Sequence, residues 1–376
     1  MADTRMPVTL LTGFLGAGKS TLLNKIIATP QTERIAVIVN EFGEVGLDHD
    51  LIETSGEEVL LMSSGCICCS IRDDLAQTIS DLLERRKEGA FEFERIVIET
   101  TGLADPAPIQ QTFLVDRILA TTTRLDGIVT LVDAANGQDT LDAQFEAVSQ
   151  AATADLLLLT KAELVSGEEL ASLHKRLEGL NPTADILRVD DAVRSPERLW
   201  GLSGLKQDTT PQNALAWMSR DATPVATFPQ VTADPFSNLS GLARAQPTST
   251  FSPHDERIAT ASIILDAPLE DAIFDRWLDT LVALKGRDLL RVKGIVFLKG
   301  IETPFVFHGV QHIFAPPVAL RGWDKEDTKT RIVVIARDMT EAELNRSLDM
   351  LRAKRAIKQP PVFPGWKDVE RQNWPE

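Results

Sequence analysis

The stretch 8–28, VTLLTGFLGAGKSTLLNKIIA, decides the fold of this chain. Its first five residues are apolar or β-branched, as a buried strand requires, and its last seven place leucine and isoleucine at helical spacing. Between them lies Gly-x-x-x-x-Gly-Lys-Ser, Gly13 to Ser20, in the strand–loop–helix context of a phosphate-binding loop. Gly13, Gly16 and Gly18 let the backbone wrap tightly, so that its N–H groups, Ala17 among them, point at phosphate oxygens. The following helix adds the partial positive charge of its N-terminus. Lys19 is placed for the β- and γ-phosphates, Ser20 for Mg²⁺, and Thr21 for the phosphate beside it. A glycine-rich turn could match the pattern by chance, but the flanks are those the chemistry needs. The expectation is a nucleoside triphosphate site.

The same alternation continues outward through residue 190. Short apolar runs at 34–40, 57–62, 95–100, 127–133, 155–160 and 184–189 are separated by helix-length segments at 72–87, 106–119, 139–151 and 167–180. Near-continuous apolar strands between helices predict a mainly parallel sheet covered on both faces. That is an α/β, doubly wound P-loop NTPase domain, expected over residues 1–205. Residues 206–255 are rich in Pro, Ser, Thr and Gly and read as a linker. Periodicity returns over 256–355, with strands expected at 257–265, 289–300, 303–315 and 330–339 and helices at 270–284 and 341–354. This reads as a smaller C-terminal α+β domain. The tail, 356–376, has no period.

At 376 residues, with 43% hydrophobic and 25% charged, the chain has room for two cores and an ordinary soluble composition. No apolar run approaches the roughly 20 residues of a membrane span, and the opening MADTRMPVTLL lacks signal-peptide anatomy. The net charge of −16 argues against broad nucleic-acid binding, which runs on Lys and Arg. A cytoplasmic protein with neither membrane nor nucleic-acid partner is expected. Its oligomeric state is left open.

Two more segments fit a triphosphate. In RIVIETTGLADP, Glu99 and Gly102 follow a strand expected beside the phosphate loop. A carboxylate there can hold the Mg²⁺ shell, and a glycine lets a backbone N–H approach the γ-phosphate. The bland alternative is a strand-end acid solvating a turn. In LLLLTKAEL, Thr160-Lys161-Ala162-Glu163 stands where guanine-specific NTPases carry Asn-Lys-x-Asp. The Glu163 carboxylate can accept from guanine N1–H and the 2-amino group, while Lys161 packs over the ring; adenine presents an acceptor at N1 and is repelled. Threonine for Asn and glutamate for Asp alter the motif, so GTP is favoured over ATP less firmly. The competing reading is a helix start with ordinary charges.

Three cysteines occur, all within SSGCICCSIRDDL: Cys66, Cys68 and Cys69. So clustered, they suit reduced thiols, as metal ligands or redox groups, better than a disulfide framework. Thiolates favour Zn²⁺, Cu(I) or iron–sulfur centres. Three thiols with a water or carboxylate in fourth place suit a site that releases its metal, with Glu41, Glu44 and, more weakly, His49 as candidate partners. Thiol exchange, an iron–sulfur centre and an inert structural cluster remain alternatives. His308 and His312 are expected on one strand face about 13 Å apart, too far for a shared metal. His174 reads as a solvated helix residue.

Together TLLTGFLGAGKSTLLNKI, IAVIVNEFGEVGLD, GCICC, VIETTGLADPAP and LDGIVTLVDA resemble the CobW-type family of P-loop GTPases, and LLRVKGIVFLKG, HGVQHIF and RIVVIARDM resemble its C-terminal domain. The resemblance implies slow GTP hydrolysis with Mg²⁺, Lys19 and Glu99 serving the reaction. It also implies that the Cys-x-Cys-Cys motif carries Zn²⁺, or Co²⁺, to a client metalloenzyme under nucleotide control. The histidine-rich loop of many members is absent, His254 alone standing in the linker. Two other classes compete: a P-loop kinase or ATP-dependent ligase with structural cysteines, and a GTP-regulated interaction protein without metal transfer.

Overall fold

The computed structural model describes residues 3–28, 34–39, 62–63, 71–203, 209–218, 255–324 and 326–353. Among the described residues, seven strands, β1 (Met6–Gly13), β2 (Ile35–Val39), β3 (Met62–Ser63), β4 (Arg95–Glu99), β5 (Thr123–Asp133), β6 (Leu156–Thr160) and β7 (Asp185–Arg188), form one sheet. Their order is β3-β2-β4-β1-β5-β6-β7, and every pairing is parallel. The described helices that accompany it are α1 (Lys19–Ala28), α2 (Ile71–Lys87), α3 (Pro106–Val115), α4 (Arg117–Thr122), α5 (Gly137–Ala143), α6 (Phe145–Thr153), α7 (Gly167–Leu180) and α8 (Val189–Arg194). Leu22, Leu23 and Ile26 of α1 and Ala192 of α8 pack on one face, while α2 to α7 cover the other. That double cover explains why RIVIE of β4 and LLLLT of β6 are buried at every position. From β1 the chain winds to one side through β2, β3 and β4 and crosses to the other with β5. The carboxyl end of β1 is therefore the switch point where an open α/β sheet offers its crevice.

The helix α9 (Pro211–Met218) leads to a second sheet of β8 (Ile258–Leu265), β9 (Leu289–Val296), β10 (Phe305–Val310), β11 (Ile313–Phe314), β12 (Val318–Ala319) and β13 (Thr330–Arg337). It is antiparallel, ordered β11-β10-β9-β13-β8 with β12 against β10. The helices α10 (Asp271–Lys285) and α11 (Glu341–Asp349) bury Phe274, Trp277, Leu281, Leu344 and Leu348 on one face. On the other lie Ala214, Trp217 and Met218 of α9 and Ala152 of α6.

The two sheets meet through buried charge. Arg291 of β9 donates to the Thr153 carbonyl and pairs with Asp155, whose other oxygen accepts the Ile128 N–H at 3.0 Å. Lys293 lies 3.3 Å from the same carboxylate and 4.8 Å above the Trp217 ring. Burial alone would raise the Asp155 carboxyl; Arg291, then Lys293, hold it below the usual carboxylate range. Burial, and then Arg291, push Lys293 down to about 7. Burial, again followed by Arg291, pushes His308 down to about 3. Arg176 adds a second tie, binding Asp255 at 2.7 Å and Asp142 of α5 at 2.7 Å. Gln111 of α3 reaches Gln311 at 2.7 Å.

Several sequence expectations change. The segment 106–119 holds the start of two helices, because Asp116 adopts extended backbone and its carboxylate accepts the Ile118 and Leu119 N–H groups. The segment 139–151 is likewise divided, at Gln144. Part of the 206–255 linker is helix α9, with Trp217 and Met218 buried in the second core. The run 303–315 is a hairpin turning at Gln311, φ 56°, so His308 lies in β10 and His312 in the turn rather than together on one strand face. His174 is half-buried on α7 rather than fully solvated, 3.5 Å from Glu178.

Candidate nucleotide site

The site is assembled at the carboxyl end of β1. Gly13 has φ 140°, and a Cβ there would lie 2.5 Å from the Leu131 carbonyl of β5, so only glycine lets the two strands run this close. Gly16 and Gly18 hold φ 73° and 91°, the left-handed region that turns the loop back on itself. The Ala17 N–H closes the turn onto Phe14 O at 3.1 Å. Lys19 opens α1, and its Nζ donates to Gly13 O at 2.9 Å and Phe14 O at 3.3 Å, placing the ammonium across the loop. Thr21, the next residue but one, is exposed.

On one flank stands β4. Glu99, its last residue, is 5% exposed and accepts the Ser20 hydroxyl on Oε1 at 3.0 Å. Residues 79 apart in sequence thus present a hydroxyl and a carboxylate together, a hard-oxygen pair that fits Mg²⁺. The chain then folds against the phosphate loop. Thr100 N–H bonds Leu11 O at 2.9 Å, and Thr100 Oγ1 donates to Thr12 Oγ1 at 2.8 Å. A Cβ on Gly102 would lie 2.6 Å from the Leu15 nitrogen, so glycine is what allows this approach.

On the other flank stand β5 and β6. The Thr160 hydroxyl donates to Ala17 O at 2.9 Å, tying the end of β6 to the phosphate loop. Lys161 sits at φ 53°, and its Nζ bonds Asp133 Oδ2 at 2.7 Å and Gly16 O at 3.0 Å. Burial would raise the Asp133 carboxyl; hydrogen bonds, first from Lys161 and then from Asn136, bring it below the usual range. Glu163 is exposed in the short turn 162–164, two residues beyond Lys161. Gln150 of α6 donates its amide to Gly102 O at 3.1 Å and Ala104 O at 3.0 Å. A cleft of about 230 Å³ flanks the loop, walled by Phe14, Ala17, Val132, Asn136, Leu141 and Gln150. Thr160 was visible in the sequence only as a departure from a motif. Asp133 and Gln150 carried no local signal at all, since each meets the loop only through tertiary packing.

Cys66, Cys68 and Cys69, with Glu41, Glu44, His49 and His254, lie outside the described residues. Among the described residues no group of three His, Cys, Asp or Glu side chains could hold a metal ion, and no helix is long and apolar enough to cross a membrane.

Residues 7–188 match the family model of the CobW/HypB/UreG nucleotide-binding domain, and 258–352 that of the cobalamin synthesis protein CobW C-terminal domain. The chain belongs to the CobW family of P-loop GTPases. Among other CobW proteins, it is 33% identical over 345 residues to the zinc chaperone YjiA of Escherichia coli K12, spanning 92% of this chain and 98% of that one. It is 30% identical over 381 residues to the zinc chaperone CobW of Pseudomonas aeruginosa, spanning 92% and 91%. The crystal structure of Zn(II)-bound YjiA GTPase superposes with a TM-score of 0.67 at 29% identity, over 93% of this chain and 99% of the other. This CobW fold therefore extends through both sheets.

Proposed function

We propose that this chain is a GTP-hydrolysing metal chaperone, in which Cys66, Cys68 and Cys69 carry a zinc ion as cargo to a client metalloenzyme. Lys19 and the N–H groups of Gly13, Gly16, Ala17 and Gly18 would bind the β- and γ-phosphates, with Thr21 beside them. Ser20 and Glu99 would hold Mg²⁺, which neutralises charge on the phosphates. Lys161 and Glu163 would select guanine. The observation that carries the reading is the clasp of the Glu99–Gly102 segment on the phosphate loop, through Ser20 and Leu15. A γ-phosphate entering there meets a segment already in contact with its loop, which is the arrangement a nucleotide sensor needs.

The segment that carries the cysteines in sequence is bounded by two described elements. The strand β3 is parallel to β1, so the chain leaves Ser63 at the edge that carries the phosphate loop and resumes as α2 at Ile71. Three inter-strand steps separate β3 from β1, about 14 Å. Nucleotide state and metal affinity are then linked, and the linkage is reciprocal. The names of the relatives, zinc chaperones among them, favour zinc over cobalt.

The test is metal competition against a chromophoric chelator, with Zn²⁺ and Co²⁺, in the absence of nucleotide, with Mg-GDP and with a non-hydrolysable Mg-GTP analogue. One tight zinc site that changes affinity with nucleotide and disappears in the Cys66→Ser, Cys68→Ser, Cys69→Ser variant is expected. Zinc binding unchanged by either nucleotide, or surviving loss of the three thiols, overturns the reading.

A further inference from the structure

Helix α6 is held in place along most of its length. Seven of its nine residues, Ala147 to Thr153, are buried. Its last carbonyl accepts from Arg291, and Asp155 just beyond is locked between Arg291 and the Ile128 N–H. From the middle of this fixed element Gln150, 1% exposed, sends its amide to two carbonyls of the Glu99–Gly102 loop and its continuation, Gly102 O and Ala104 O. Its own backbone carbonyl accepts the Thr130 hydroxyl of β5 at 3.0 Å.

The chemistry asks for glutamine. Two carbonyl acceptors need one group with two donors, and the terminal NH₂ supplies both; a carboxylate would face them with repulsion. Those acceptors also decide which end of the amide points at the loop. The opposite end, Oε1, is buried and bonds nothing among the described residues. The side chain therefore spends its donors on the loop and satisfies no acceptor of its own, so its placement serves the loop rather than local hydrogen bonding.

We infer that Gln150 is a positioning residue for GTP hydrolysis: by gripping the carbonyls of Gly102 and Ala104 it fixes the orientation of the Gly102 peptide against the γ-phosphate. This rests on the reading of the loop as the γ-phosphate sensor. Gln150 is assigned its role through Gly102 and Ala104, the carbonyls its amide reaches, rather than through the nucleotide or Mg²⁺ itself. GDP has no γ-phosphate, so its affinity is untouched by the grip.

The test replaces Gln150 by methionine, which keeps length and volume and deletes both donors. Steady-state phosphate release is measured against GTP concentration, with fluorescent GDP titrated in parallel on the full chain. A fall in kcat of about 100-fold is expected, the cost of a displacement on the order of 1 Å at a reacting centre, with KM and GDP affinity unmoved. Wild-type kcat in the folded variant overturns the inference, as does parallel loss of kcat and GDP affinity, which marks a merely structural anchor. Should Gln150→Met fail to fold, Gln150→Asn, which withdraws the amide by one methylene, carries the same readouts. A wild-type chain without GTP hydrolysis would instead remove the functional reading beneath it.

Discussion

Replacing Gly102 by alanine probes the closest approach in the site. The added methyl would lie 2.6 Å from both the backbone nitrogen and Cδ2 of Leu15. The Leu15 side chain is 61% exposed and can swing aside, but its nitrogen belongs to the phosphate loop and cannot. Ordinary contact begins at 3.4 Å, so the two loops must part by about 0.8 Å. Forced overpacking of this kind costs ~1–3 kcal/mol, while a displacement on the order of 1 Å at a reacting centre costs about 100-fold in rate. The variant should therefore fold, bind GDP as the wild type does, bind a non-hydrolysable GTP analogue more weakly and hydrolyse GTP about 100-fold more slowly. Phosphate release, fluorescent-nucleotide titration and urea unfolding read the four quantities. Wild-type hydrolysis together with wild-type affinity for the GTP analogue would refute the argument, because the loops could then separate without consequence for the γ-phosphate.

Glu99→Gln keeps an acceptor for the Ser20 hydroxyl but removes the negative charge. Hydrolysis should fall about 100-fold or more, the scale of losing one preorganised electrostatic contact, and a Mg²⁺ titration of the GTPase rate should shift to higher concentration; an unchanged titration removes Glu99 from the metal site. For stability, His308 faces Arg291, Lys293, Asp155 and the edge of Trp217, and stays neutral in the fold down to about pH 3, against an ordinary imidazole value of 6.5. The unfolded chain takes up a proton below 6.5, so this contribution is complete above pH 6.5 and is lost as pH falls toward 3. At pH 5 the loss is about 2 kcal/mol. Urea melts at pH 7 and pH 5 should show that extra loss in the wild type and not in His308→Leu; equal losses in both sink the assignment.

What could be read before folding was what depends on neighbours in sequence. The order Gly13, Gly16, Gly18, Lys19, Ser20 needs only a strand before it and a helix after it, and both are set by local periodicity. The unbroken apolar runs of β4 and β6 announce strands covered on both faces, because burial on two sides leaves no place for polar alternation. The helix boundaries at Asp116 and Gln144 were missed because apolar spacing continues across them while the backbone is reset by a single residue. The helix α9 was missed because its turn-rich surroundings mask a short segment whose stability comes from Trp217 and Met218 docking on a distant sheet.

The site divides the same way. Local sequence pattern alone named the phosphate-loop residues, Glu99 and Lys161 as candidates, since each ends or follows a strand of recognisable type. Only the tertiary structure joined Glu99 to Ser20, Thr160 to Ala17, Lys161 to Asp133 and Gln150 to Gly102. Those pairs lie between 28 and 143 residues apart in the chain. A hydrogen bond needs partners within about 3.2 Å, and no local pattern reports a distance set by how strands are ordered in a sheet.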